Sequence, residues 1–463
     1  MANRRKVLVI GLDCAAPDLV FQRWIDDLPT IKKMISEGIW GNLKSTIPPI
    51  TIPAWMCMAT SKNPGRLGIF GFRNRSEFSY TDFWIANSKA IKEPTVWDII
   101  GKNGYKVGLV GVPQTYPPKP VNGFLVSDWL APDTDHDYTF PEFIKDEIKL
   151  VVGNYKLDCE EFRTEDKDWL LEEIYDMTRK RFDLVEYFLR EKQWDFFMFV
   201  EIGLDRIHHG FWKFFDKSHR KYQPGNKYEN AIYDYHRFLD QRISRLLKLV
   251  DENTVVLVVS DHGAKRMEGA ININDWLIQQ GYMTLRTKPE KPVKLEEADI
   301  DWSRTIAWGL GGYYGRLFLN VKGREKMGVV DPKDYKKVRD EIATRLEAIT
   351  DEKGNNIGTR VFRPEEAYTG TNIEQAPDLI VYFGDLYWRS TGTIGHDSIY
   401  SFETEVGPDD AVHDEYGIFI LWDPKKSLGK NLGTISIYDV APTILDLMGI
   451  DVPDDMEGKP IRA

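Results

Sequence analysis

The sequence predicts an α/β protein with a mostly parallel central sheet, and three observations lead there. Residues 7–12, 195–200 and 254–259 are runs of apolar side chains with almost no polar interruption, as expected of strands covered on both faces; a half-exposed strand would alternate. Stretches with apolar residues at helical spacing lie between such runs, and this alternation builds parallel sheets. The runs also lead into groups capable of chemistry, most plainly Val258-Val259-Ser260-Asp261-His262-Gly263, and ligands of open α/β sheets sit outside the carboxyl ends of the strands.

In chain order, residues 7–12 form the first strand and 19–35 a helix, with Gly38 placed as a left-handed cap. Residues 41–47 read as a strand. Pro53 suits the first turn of the next helix, which sets Thr51 at or near a helix N-terminus, where backbone N–H groups favour an anion. Asn63-Pro64-Gly65-Arg66 ends that helix, residues 96–103 are helical, and 106–112 form a strand. From 113 to 194 prolines, aromatics and charged helices interrupt the alternation, so this segment is expected to be an insertion or cap. The alternation resumes with the strand at 195–200, a long helix at 228–250, the strand at 254–259 and a helix at 276–281. A charged, proline-bearing linker then opens a second excursion, expected at 288–330 along the rim. Strands at 377–383 and 417–422, a helix at 332–349 between excursion and strands, and a last helix at 437–448 complete the chain. The expected core is discontinuous, 1–112 and 195–463.

At 463 residues the chain is too long for one small core, and 42% hydrophobic with 29% charged residues is a soluble globular composition. A formal charge of -11 argues against binding to a nucleic-acid polymer, but leaves room for a small phosphorylated substrate, because bound metals invert the local sign of charge. The basic stretch Met1-Ala2-Asn3-Arg4-Arg5-Lys6 is followed by an apolar run too short for an export signal. No apolar run approaches the roughly 20 residues of a membrane helix. Cys14, Cys57 and Cys159 form no paired framework, which suits a reducing compartment, so a cytoplasmic location is expected.

Asp13, Asp205, His209, Asp261, His262 and His413 fall at strand ends or beside them. Carboxylates and imidazoles without cysteine suit zinc, manganese or iron. Six such ligands exceed one tetrahedral ion but suit two, about 4 Å apart, able to clamp both oxygens of a phosphoryl displacement.

The phrases Val7-Leu8-Val9-Ile10-Gly11-Leu12-Asp13, Thr51-Ile52-Pro53, Asp205-Arg206-Ile207-His208-His209-Gly210 and Ser260-Asp261-His262-Gly263 resemble, in order and placement, the type I phosphodiesterase and nucleotide pyrophosphatase branch of the alkaline phosphatase superfamily. The resemblance implies an alkaline-phosphatase-like three-layer α/β/α core. It also implies one ion held by Asp205, His209 and His413, a second held by Asp13, Asp261 and His262, and Thr51 at the second ion as nucleophile. Metal coordination would activate a hydroxyl that is otherwise a poor nucleophile, giving a covalent phospho-threonine intermediate.

His208 adjoins His209, but the resemblance places the ligand four positions after the aspartate, which is His209, and positions i and i+4 share a helical face. His396 competes with His413, which the resemblance prefers, because the family's final histidine lies shortly before a glycine-bearing strand as His413 does. His136, His219 and His236 read as ordinary surface or core residues. The family's asparagine after the nucleophile is absent from residues 52–59. Losing such a donor costs on the order of a hundredfold in rate unless it is replaced, and Lys265, Arg266 or Arg66 are candidates to supply the charge. The phrase Asn320-Val321-Lys322-Gly323-Arg324-Glu325 also resembles microbial members of this branch. The expected function is a two-metal phosphodiesterase. The alternatives are a phosphomonoesterase, phosphomutase or phosphoryl-group transferase of the same superfamily, or a non-catalytic metal-dependent phospholigand-binding protein.

Overall fold

A computed structural model describes residues 5–462, so most of the basic stretch before Arg5 lies outside the described residues. A nine-stranded sheet runs in the order Lys430–Ser436, Ile39–Lys44, Tyr416–Trp422, Thr254–Val259, Lys6–Leu12, Phe196–Glu201, Val107–Val110, Gly123–Val126, Thr139–Phe140. The three apolar runs read from the sequence are its adjacent, parallel centre, with Leu8 facing both Phe197 and Val256 in register. Alternate residues of each central strand serve opposite faces. Leu8, Ile10, Phe197, Phe199, Val256 and Val258 pack on one side, and Val7, Val9, Phe196, Met198, Val255 and Leu257 on the other. Helices Lys167–Glu191, Gly203–Phe215 and Ala231–Leu247 contribute to the first layer; Thr51–Thr60, Val96–Lys102 and Val440–Leu447 contribute to the second. This is the expected three-layer α/β/α core.

Two strands run against the majority, Tyr416–Trp422 and Thr139–Phe140. The first matters for the site. Because it is antiparallel to Thr254–Val259, its beginning lies at the edge where the parallel strands end, so a residue just before it reaches the same edge as residues just after them. Gly417 allows this close pairing: a Cβ there would sit 2.6 Å from the Ser260 carbonyl oxygen. Gly38 is another close-approach glycine rather than the left-handed cap the sequence suggests. Its φ is -103°, and a Cβ would meet the Leu421 carbonyl oxygen at 2.4 Å.

Two segments differ from expectation. Residues 113–194, read as a cap, supply the sheet strands Gly123–Val126 and Thr139–Phe140 and the helix Lys167–Glu191, whose Leu170, Ile174 and Met177 are in the main core. The proline-rich turns hid these short strands. The second excursion is larger than residues 288–330. Leu379–Tyr382, expected to return to the central sheet, instead pairs with Gly315–Leu319 and Arg360–Phe362 in a separate four-stranded antiparallel sheet completed by Ala307–Leu310. This lobe has its own core, including Trp276, Trp308, Phe318 and Ile342. An apolar run reports that a strand is covered, not which sheet it joins. The phrase from Asn320 to Glu325 is a turn within this lobe. The Asn320 side-chain amide donates to the carbonyls of Trp302, Thr305 and Met327.

Candidate metal centre

The carboxyl edge of the central sheet gathers the predicted residues. Asp13 follows Lys6–Leu12, Asp205 and His209 lie one turn apart on Gly203–Phe215, Asp261 and His262 follow Thr254–Val259, and His413 precedes Tyr416–Trp422. Thr51 opens the Thr51–Thr60 segment. Ile52 is extended, so the regular helix begins after it, as Pro53 suggests. All seven residues are buried, none more than 5% exposed.

Two triplets each converge tightly enough to hold one ion, Asp205 with His209 and His413, and Asp13 with Asp261 and His262. In the first, His209 Nε2 lies 3.2 Å from Asp205 Oδ1 and 3.2 Å from His413 Nε2. In the second, His262 Nε2 lies 3.2 Å from Asp261 Oδ2 and 3.6 Å from Asp13 Oδ1. The same nitrogen is 3.4 Å from Thr51 Oγ1, and the His262 and His413 rings stack with centroids 3.7 Å apart, joining the triplets.

The far side of each imidazole fixes its tautomer. His262 Nδ1 lies 3.0 Å from the Gly263 carbonyl, His413 Nδ1 3.0 Å from the Pro49 carbonyl, and His209 Nδ1 2.8 Å from Asp409 Oδ1. Carbonyl oxygens only accept, so the Nδ1 atoms of His262 and His413 carry hydrogen and their Nε2 lone pairs face the carboxylates. The carboxylates are anchored the same way, by one oxygen each. Trp55 Nε1 donates to Asp13 Oδ2 at 2.8 Å, Arg206 Nη1 to Asp205 Oδ2 at 2.6 Å, and the Cys14 N–H to Asp261 Oδ1 at 3.3 Å. Gly11 makes room for the first of these, since a Cβ there would meet the Trp55 ring at 2.6 Å. The other oxygens, Asp13 Oδ1, Asp205 Oδ1 and Asp261 Oδ2, are buried with no aligned hydrogen bond. Three unpartnered carboxylate oxygens and three converging imidazole nitrogens in one buried space fit divalent cations.

Electrostatics agree. Burial first, then the Asp205 charge, pushes Asp13 well above the usual carboxylate range, and burial with Asp13 does the same to Asp261. Burial also raises Asp205, but His209 overrides it and holds that carboxyl well below its ordinary value. Burial lowers His209, but Asp409 and Asp205 outweigh it and lift the imidazole to about 9. His262 and His413 are lowered, chiefly by burial. The Cys14 thiol also lies near His262 and His413. It donates to the Gly263 carbonyl and burial pushes its pKa well up, so the carboxylates are the better donors.

A family model for the type I phosphodiesterase / nucleotide pyrophosphatase matches residues 7–409. The chain belongs to that family. As a member of the phosphodiesterase family it is a metal-dependent hydrolase of phosphoric esters. No curated protein matches the chain. Among solved structures it is similar to murine ectonucleotide pyrophosphatase / phosphodiesterase 5, an inactive form in complex with AMP, at 12% identity and a TM-score of 0.56, covering 97% of this chain and 96% of that one. The human protein of the same name is similar at 12% identity and a TM-score of 0.55, covering 98% and 97%. At that identity the likeness speaks for the shared fold.

Several predicted residues of this family member lie elsewhere. His396 bonds Thr393 in the second lobe, and His208 packs on Trp212 and His236. Lys265 pairs with Asp414 at 3.1 Å, Arg266 with Glu268, and Arg66 with the Asp455 carbonyl at 2.9 Å, so each charge already has a partner within the protein. Asn63, the nearest asparagine after the nucleophile position, caps the helix Pro64–Leu67.

Sequence reading missed the support around His209. Asp409 accepts from Tyr313 Oη at 2.8 Å and Arg163 Nε at 3.2 Å, and Arg163 Nη2 also donates to Tyr313 Oη at 2.8 Å. Burial opposes this, yet His209 and Arg163 hold Asp409 well below its ordinary value. The Tyr313 ring lies over both His209 and His413, with centroids 4.8 and 4.3 Å away. The acidic Asp409-Asp410 just before His413 was the available signal; Tyr313 arrives from the glycine-rich turn of the second lobe and had none.

Proposed function

We propose that the protein is a two-metal phosphodiesterase acting through a covalent phospho-Thr51 intermediate. The observation that carries this reading is the convergence of three imidazole Nε2 atoms with three unpartnered carboxylate oxygens, His262 Nε2 lying beside Thr51 Oγ1. Asp205, His209 and His413 would hold one divalent ion, and Asp13, Asp261 and His262 the other. Zinc is the first choice, with manganese or iron served by the same donors. When bound, the ions supply Lewis acidity and offset the negative charge of the phosphoryl group.

Thr51 stands at the second triplet, 3.4 Å from His262, so its oxygen is the attacking atom. The P–O bond to the leaving alcohol breaks as the Thr51–phosphorus bond forms, and water then hydrolyses the phospho-threonine. Trp55 and the Cys14 N–H hold Asp13 and Asp261 in place, and Asp409 does so for His209. Tyr313, half-buried over His209 and His413, limits water at the first triplet. The AMP in the murine relative supports a nucleotide-type diester as substrate class, and the three buried, unpaired cysteines support a cytoplasmic location.

The test is hydrolysis of bis-p-nitrophenyl phosphate against p-nitrophenyl phosphate, with metal content measured on the same sample. Two ions per chain, preference for the diester, and a Thr51→Ala protein that keeps metal but loses turnover are expected. Faster monoester hydrolysis would make it a phosphomonoesterase. A wild type inactive on both after loading with zinc or manganese would end the enzymatic mechanism.

A further inference from the structure

The three carboxylates of the metal centre are not anchored alike. Uncharged groups, the Trp55 ring N–H and the Cys14 N–H, hold Asp13 and Asp261, whereas Asp205 is held by a cation, with Arg206 Nη1 2.6 Å from its Oδ2. Arginine stays protonated in proteins, and a positive charge against a ligand opposes a metal ion at that ligand. Arg206 therefore anchors Asp205 and competes for its charge at the same time.

Asp158 offsets that competition. It receives Arg206 Nε at 2.8 Å and Nη2 at 2.6 Å, one on each oxygen, the paired geometry in which guanidinium and carboxylate match best. Three nitrogens of Arg206 are thus assigned, two to Asp158 and one to Asp205, and of these two carboxylates Asp158 is the one outside the triplet. Asp158 Oδ1 also accepts the Cys159 N–H at 2.7 Å, which fixes it in turn.

The helix makes such a guide necessary. Asp205 and Arg206 are consecutive in Gly203–Phe215, and consecutive side chains of a helix point about 100° apart and do not face each other. Arg206 meets Asp205 only with its guanidinium turned back. Asp158 along one edge and the Phe162 ring, 4.3 Å from the guanidinium carbon, set that turn. The same short stretch supports the triplet a second time. The Phe162 ring is also 4.3 Å from the Arg163 guanidinium, and Arg163 donates to Asp409, the partner of His209.

We propose that Asp158 is a positioning residue for the first ion, holding Arg206 so that it orients Asp205 while Asp158 takes up its charge. The inference rests on the two-ion reading above. Asp158 acts through Arg206, from the outside of the site, where its side chain is 24% exposed.

Zinc binding to the full chain, read by competition with a chromogenic chelator, tests it. The wild type is expected to bind two ions. Asp158→Asn, which keeps the shape and removes the charge, is expected to weaken one of them by about 10–100-fold and leave the other unchanged. Asp158→Glu, which keeps the charge and both oxygens, is expected to restore most of that loss. The deciding variant adds Arg206→Gln to Asp158→Asn. With the uncompensated charge gone, it is expected to bind that ion more tightly than Asp158→Asn alone, within about tenfold of the wild type. A pair that is only structural would lose as much again or more on the second substitution. Asp158→Asn with wild-type affinity for both ions, or a double variant no tighter than the single, overturns the inference. If Asp158→Asn does not fold, the double variant is set against the wild type directly: both ions kept within about tenfold uphold the inference, and loss of one overturns it. A wild type that binds no zinc overturns the two-ion reading, and this inference with it, before any variant is compared.

Discussion

Two buried clusters in this molecule are both built around carboxylates and end in opposite states. In the second lobe, Asp378 receives two hydrogen bonds from Arg324, at 2.8 and 2.7 Å, one from Tyr335 Oη and one from the Leu319 N–H. Glu325 receives Arg75, Arg324 and the Val321 N–H. Both carboxylates use both oxygens. At the sheet edge, Asp13, Asp205 and Asp261 each use one oxygen and leave the other bare. A paired buried charge holds a fold together, whereas an unpaired one is kept at a cost that only a ligand recovers. What marks the sheet-edge cluster as functional is that its bare oxygens converge with imidazole nitrogens on one space, which those of the second lobe do not.

The comparison breaks most severely at Asp261. Asp261→Asn is expected to lower diester turnover by about a thousandfold or more, measured as kcat/KM, with one ion lost per chain. Its metal-free form should unfold no earlier than the metal-free wild type, because the oxygen that is replaced has no partner to lose and Asn keeps an acceptor for the Cys14 N–H. The opposite holds at Asp378. Asp378→Ala is expected to cost about 3–5 kcal/mol in denaturant unfolding by removing two hydrogen bonds of Arg324 and leaving the Tyr335 hydroxyl and the Leu319 N–H without their acceptor, with turnover per folded molecule unchanged. If both variants destabilise the metal-free protein equally, the distinction between the clusters fails.

Asp409 lies between these cases, a fully bonded residue serving an unsatisfied one. Asp409→Asn is expected to weaken binding of one of two ions by about 10–100-fold, seen as biphasic loss to a chelator. A smaller effect belongs to the core around the site. His236 is buried against Trp24, and burial lowers it to about 4 from its ordinary 6.5. The unfolded chain therefore takes its proton first. Stability is unaffected above about pH 6.5 and falls as pH drops toward 4, by up to about 3 kcal/mol. His236→Leu should flatten that acid limb in melts recorded from pH 7 to 4.

The strands of the central sheet were legible because burial on both faces leaves continuous apolar runs, and Asp13, Asp261 and His262 because they directly follow such runs. His413 was legible only by resemblance, since its strand runs antiparallel and brings its beginning to the active edge. Asp409 and Tyr313 were not legible as partners: 96 residues separate them, and they meet only when the second lobe docks on the helix bearing His209. The charges of Lys265, Arg266 and Arg66 could be read but their partners could not, as Asp414, Glu268 and Asp455 claim them through local turns and distant segments. Residues 113–194 were misread because the strands Gly123–Val126 and Thr139–Phe140 are too short to show a period between prolines.

The antiparallel strand Tyr416–Trp422 has a consequence for the order in which the molecule is made. It fills the gap between Thr254–Val259 and Ile39–Lys44, so until synthesis has passed residue 416 those strands keep facing, unpaired edges. Domains generally fold from the N-terminus as they emerge, yet here the seam stays open until late, and open edges invite pairing with other chains. A nascent or truncated chain ending before residue 416 would lack the closing strand and His413 together. Closure of that seam and completion of the metal centre depend on the same stretch of chain.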